Sequence, residues 1–218
     1  MIGYDVKLIE YSKSVDRWNC LTHAAGAFLS VLGAVALITK ATSPRHLFSA
    51  TVYGIALIAV FTVSSVYHGL PQGERKRRAR LIDHSTVPLL IAGTATPCAM
   101  VSLFEVRVSL GITVMVLAWF CTLFGLFSKI FFFEKLKSVT MAVYIISSVI
   151  MLTSVVPVTD KVNMGAFGYL VAGCMFYLAG AVLCGLGAKR PVLHIVFHVF
   201  VMIASGIHYY VIYTFIIY

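Results

Sequence analysis

Charge is what this chain has least of. Asp, Glu, Lys and Arg together make 11% of its 218 residues, and only eight residues are acidic, where a soluble domain carries about a quarter. Cysteine is sparse and odd in number. Cys20, Cys98, Cys121, Cys174 and Cys184 show no close pairing, which excludes a disulfide-stapled secreted scaffold and reads instead as small buried residues. Disorder and collagen-like repeats are excluded by an aromatic content of 13%. What fills the chain is apolar: 60% of residues are hydrophobic and the mean hydropathy is +0.95. A chain of this length cannot hide so much apolar surface in one aqueous core, because small domains leave much of their surface exposed. A bilayer is the remaining solvent.

About 20 apolar residues cross the hydrocarbon as a helix. Runs of that size recur at about 20–39, 47–69, 84–104, 108–130, 138–157, 166–187 and 192–215. The sequence therefore predicts an all-α, multi-pass membrane protein: one seven-helix domain over 1–218 that opens with a short polar segment, 1–18, lacking the pattern of a cleavable signal peptide. The connections are short and hold most of the charge. Thirteen Lys and Arg fall on one side of the alternating topology (Lys7, Lys13, Arg17; Arg75, Lys76, Arg77, Arg78, Arg80; Lys129, Lys135, Lys137; Lys189, Arg190) and four on the other (Lys40, Arg45, Arg107, Lys161). By the positive-inside rule the N-terminus is expected in the cytoplasm and the C-terminus outside. The net charge of +9 is then mainly a topology signal. The run Arg75–Arg80 lies between two spans, so it is expected to touch anionic lipid headgroups and not nucleic acid.

Ionisable groups inside spans are expensive and mark function. Ser64 and His68 are four residues apart at the end of span two, on one helical face. Span three opens with Asp83 and His84. In span seven His194, His198, Ser205 and His208 fall within about 80° of one another at 100° per residue. Asn19, Thr22, His23 and Gly26 share a face of span one. Span two ends, and spans three and seven begin, on the same side. Hence His68, Asp83, His194 and His198 share one depth, with His198 only about 6 Å along the axis from His194. Were these spans neighbours, three imidazoles and a carboxylate would converge in a manner that suits Zn²⁺ with an open fourth position. Each residue also has a plainer use. The paired imidazoles could bridge helices, Asp83 could cap a helix, Ser64 could bond its own backbone, and Asn19, Thr22 and His23 could make a structural contact. His208, roughly 15 Å deeper than His198, is too far to share an ion and suits packing or substrate contact.

The run Asn19-x-x-Thr22-His23-x-x-Gly26, the pair Ser64-x-x-x-His68 with Tyr67, Asp83-His84 followed by Leu89-Leu-Ile-Ala-Gly-Thr-Ala-Thr-Pro97, and His194-x-x-x-His198 with Ser205-x-x-His208 resemble the hemolysin III family. That family is the bacterial branch of the progestin and adipoQ receptor group and is similar to alkaline ceramidases. The resemblance covers nearly the whole chain in the same order. It implies seven helices, an inside N-terminus in a bacterial plasma membrane, and zinc near the cytoplasmic face, held by His68, His194 and His198 with Asp83 acting through a bound water and Ser64 close by. Asn19, Thr22, His23 and His208 would stand behind the ligands. One departure is Ala95, where bacterial relatives often carry an aromatic.

Two functions share these ligands. A zinc hydrolase would act on a lipid amide or ester with a fatty-acyl chain between helices, Asp83 taking a proton from water and Ser64 assisting. Alternatively, a structural zinc would stabilise a sensor or regulator of membrane lipid composition and energetics, without catalysis. A pore or transporter ranks last, because the ionisable groups cluster at one depth. A retinal receptor is excluded by the lack of lysine in span seven. Neither the substrate nor the oligomeric state is legible in the sequence.

Overall fold

The computed structural model describes residues 6–155, 164–187 and 189–217. It is all-helical, with no strand among the described residues. Helix α1 spans Lys13–Lys40, α2 Pro44–Gly69, α3 Glu74–Pro97, α4 Val108–Phe132, α5 Lys137–Val155, α6 Met164–Gly187 and α7 Val192–Val211. The N-termini of α1 and α2 are set by local chemistry. Ser12 accepts from the Val15 amide, Ser43 accepts from the His46 amide, and Pro44 occupies the first turn of α2, where its missing N–H costs nothing. Between α2 and α3 the chain turns at Gly73, whose φ of 142° suits a residue without Cβ. Helix α3 runs on from Pro97 through a π turn, Cys98–Leu103, to Val106; the widened turn directly follows a proline, which cannot donate to the helical ladder.

Among the described residues six helices are long and apolar enough to cross a membrane: Lys13–Lys40, Pro44–Gly69, Glu74–Val106, Val108–Phe132, Gly165–Gly187 and Val192–Ile216. The expected span at 138–157 falls on α5, whose apolar part, Lys137–Ile150, is shorter than that limit; residues 156 and 157 lie outside the described residues. Exposed Phe28, Val116, Phe120 and Val182 belong to a broad apolar exterior far larger than an aqueous monomer tolerates.

Helices α1, α2 and α3 pack in sequence, α6 packs on α7, and α7 returns to α1. Small residues allow this closeness. A Cβ on Gly93 of α3 would stand 2.5 Å from the Ala56 Cβ of α2. The core between them contains Leu37, Tyr53, Leu57, Phe61, Leu170 and Ile212. The α7 contacts are polar as well: Tyr209 donates to the Gly33 carbonyl of α1 at 3.1 Å, and the hydroxyls of Tyr177 and Ser205 lie 2.7 Å apart across α6 and α7. The result brings the start of α1, the end of α2 and the start of α7 together.

Candidate metal centre

Helix α1 contributes a stripe of Asp16, Asn19, His23, Gly26 and Ser30, spaced three or four residues apart and buried from Asn19 onward. Helix α2 contributes Ser64, Tyr67 and His68, and α7 contributes His194 and His198, all buried. Tyr11 arrives from the segment before α1 and is buried against them. The imidazoles of His68, His194 and His198 meet. Each offers one nitrogen to a set lying within 4.8 Å of one another, with ring centres 5.3 Å apart for His68 and His194, 4.9 Å for His68 and His198, and 4.8 Å for His194 and His198.

The surroundings of His68 decide which nitrogen it presents. Its Nδ1 lies 3.0 Å from Asp16 Oδ1, so an N–H there donates to the carboxylate and leaves Nε2 with a free lone pair. That Nε2 is buried and has no hydrogen-bond partner among the described residues; Nδ1 of His194 and of His198 are in the same condition. Asp16 is held in turn by Lys76, whose ammonium donates to Oδ2 at 2.7 Å and to the Leu70 carbonyl at 3.0 Å and whose side chain is 0% exposed. Asn19 Nδ2 stands 3.5 Å from His68 Nδ1. Tyr11 stacks on His194 with centres 5.1 Å apart and planes 23° apart. Burial pushes the Tyr11 hydroxyl above the usual tyrosine range.

Three buried imidazoles with unpartnered nitrogens suit a divalent ion that favours nitrogen ligands. Nitrogens gathered within 4.8 Å of one another are near the spacing that zinc–nitrogen bonds of about 2.0–2.1 Å impose on a shared ion. Asp16 stands behind His68 as carboxylates stand behind histidines in metal sites, where they fix the tautomer.

The remaining predicted residues divide. Asp83 is half-buried, is not in the three-nitrogen set, and has the Ser64 hydroxyl as its hydrogen-bonding neighbour. His23 stacks on His198 with ring centres 3.7 Å apart, and both of its nitrogens are buried without partners among the described residues. Thr22 turns back to its own helix, donating to the Trp18 and Asn19 carbonyls at 2.9 and 3.0 Å. His208 is away from the cluster: its Nε2 lies 3.2 Å from the Leu170 carbonyl, linking α7 to α6. Sequence reasoning missed Asp16, Lys76 and Tyr11. Asp16 was within reach, because Asp16, Asn19 and His23 lie at i, i+3 and i+7. Lys76 was not, because it is one of five cations in a six-residue run.

Comparison with known proteins decides the family. The model described as "Haemolysin-III related" matches residues 11–209. The chain belongs to the haemolysin III family. It is 29% identical over 195 residues to Hemolysin-3 of Bacillus cereus, covering 88% of this chain and 87% of the relative. With the Hemolysin-3 homolog of Bacillus subtilis it shares 30% over 191 residues, 86% and 88% of the two chains. The human Monocyte to macrophage differentiation factor is 27% identical over 207 residues, 90% and 82%. Family and apolar helices together make this haemolysin III family member a multi-pass integral membrane protein.

Proposed function

We propose that this haemolysin III family member binds one Zn²⁺ through His68, His194 and His198 and hydrolyses a lipid amide or ester. The observation that carries the metal is the set of three buried, unpartnered imidazole nitrogens. Bound zinc supplies a Lewis acid and a water acidic enough to react near neutral pH. Asp16 and Lys76 orient His68, Asp83 receives the proton of the attacking water, and Ser64 holds the Asp83 carboxylate in place. The products are a fatty acid and an amine or alcohol. In this reading α5 is the seventh span, the N-terminus is cytoplasmic, and the C-terminus faces outward across a bacterial plasma membrane. The centre then lies at inner headgroup depth, where a scissile bond sits with its acyl chain between helices.

One observation favours a second reading. Tyr11 covers the imidazoles and Asp83 stands outside the nitrogen set, as suits a closed structural zinc in a lipid-responsive regulator. Two measurements separate these. Elemental analysis should find about one zinc per chain in the wild type and little in His194→Ala; an equal, low metal content in both removes both readings. Asp83→Asn should retain zinc and lose release of fatty acid from lipid amides and esters. Wild-type protein that holds zinc and releases none leaves the structural reading.

A further inference from the structure

Among the described residues three cations are buried near the end of the bundle that holds the imidazoles: Lys76, Arg80 and Lys129. Lys76 has its carboxylate at 2.7 Å. Arg80 and Lys129, only 5% and 4% exposed, have no carboxylate that close among the described residues. The Arg80 guanidinium carbon is 5.2 Å from the centre of the Phe133 ring and the Lys129 ammonium is 4.8 Å from it, so one buried aromatic ring gathers both. Glu134 comes within 3.7 Å of Arg80 Nη1, the outer edge of an ion pair, and that nitrogen is buried with no hydrogen-bond partner among the described residues. Lys137 adds a further positive charge near Lys129. Topology does not require this arrangement. The positive-inside bias works through charge in the loops, and Arg75, Arg77 and Arg78 supply it from exposed positions. Buried cations without a short ion pair are costly, and Arg80, Lys129 and Lys137 outnumber the two carboxylates that face them, Asp83 toward Arg80 and Glu134 toward both Arg80 and Lys129.

The geometry points to an anion site between α3 and the α4–α5 turn, in which Arg80 and Lys129 hold the phosphate of an anionic phospholipid headgroup. A phosphodiester has two free oxygens to share between a guanidinium fork and an ammonium, and guanidinium matches it in a bidentate way. Asp83 follows Arg80 by three residues, about 4.5 Å along the helix, so a lipid anchored there reaches the Ser64–Asp83 pair. The site rests on the hydrolase reading only in making that lipid the substrate.

The test is retention of dioleoylphosphatidylglycerol by the full chain, read by native mass spectrometry from maltoside micelles doped equally with that lipid and dioleoylphosphatidylcholine. Wild type should prefer the anionic lipid by about tenfold, what one charge-assisted contact supplies. Arg80→Gln with Lys129→Gln should lose the preference, and Arg75→Gln with Arg77→Gln and Arg78→Gln should keep it. Preference surviving in the first variant, or lost only in the second, overturns the site. Should the first variant not fold, the loop variant decides by itself: the anionic lipid must raise its melting temperature above that in phosphatidylcholine, and no rise overturns the site. Millimolar inorganic phosphate that strips the lipid overturns the lipid assignment in favour of free phosphate; retention of the lipid supports it. Binding is read without turnover, so a protein that retains the lipid but never cleaves it removes this lipid as the substrate and leaves the site standing.

Discussion

Replacing Asp16 by Asn tests the link between the helix framework and the proposed metal. The substitution keeps shape but removes the charge that bonds His68 Nδ1 at 3.0 Å and Lys76 Nζ at 2.7 Å. Two effects follow, with different magnitudes. An amide can present N–H to His68 Nδ1 and so favour the tautomer protonated at Nε2, the wrong one for a ligand; loss of such a supporting carboxylate lowers metal affinity about 10–100-fold, or about 1.4–2.7 kcal/mol. Lys76 is also left as a buried cation facing only neutral acceptors, the new amide oxygen and the Leu70 carbonyl. Breaking a fully buried pair costs about 3–5 kcal/mol, and because Asp16 keeps 16% of its side chain exposed the loss should fall below that range. Zinc affinity by chelator competition and thermal denaturation in detergent read the two effects separately. The double variant Asp16→Asn, Lys76→Met should regain stability but not affinity, since it removes the stranded charge and leaves the tautomer wrong. Wild-type zinc affinity in Asp16→Asn would refute the argument that this carboxylate sets the ligand nitrogen of His68.

Two further predictions concern the packing around the centre. Gly93→Ala places a Cβ 2.5 Å from the Ala56 Cβ and 3.7 Å from the Val52 carbonyl oxygen, so α2 and α3 must separate; a loss of about 1–3 kcal/mol should appear in the same denaturation assay, and an unchanged melting temperature would show that the two helices do not meet there. Tyr11→Ala removes a ring stacked on His194; stability should fall by about 0.5–1.5 kcal/mol while zinc exchange with a chelator quickens, and an unchanged exchange rate would mean that Tyr11 does not cover the imidazoles.

Composition and spacing alone determined that this chain is a helical membrane protein, because a bilayer admits only backbone that bonds within itself and so imposes its thickness on the length of apolar runs. The same regularity made the depth of His68, His194 and His198 legible: each lies near a span end, and alternating spans put those ends on one side. Lateral position followed a different rule. Which helices touch depends on small residues such as Gly26 against Phe61 and Gly93 against Ala56, and only that packing closed α7 onto α1 and brought the three rings together. Packing also chose Lys76 from a run of cations to neutralise Asp16, gave Arg80 only the longer contact to Glu134, sent His208 to the Leu170 carbonyl, and set Asp83 beside Ser64 and outside the nitrogen set. Periodicity assigns a residue its face and its depth, but the partner across that face comes from another segment of the chain, and such pairings exist only in the folded bundle.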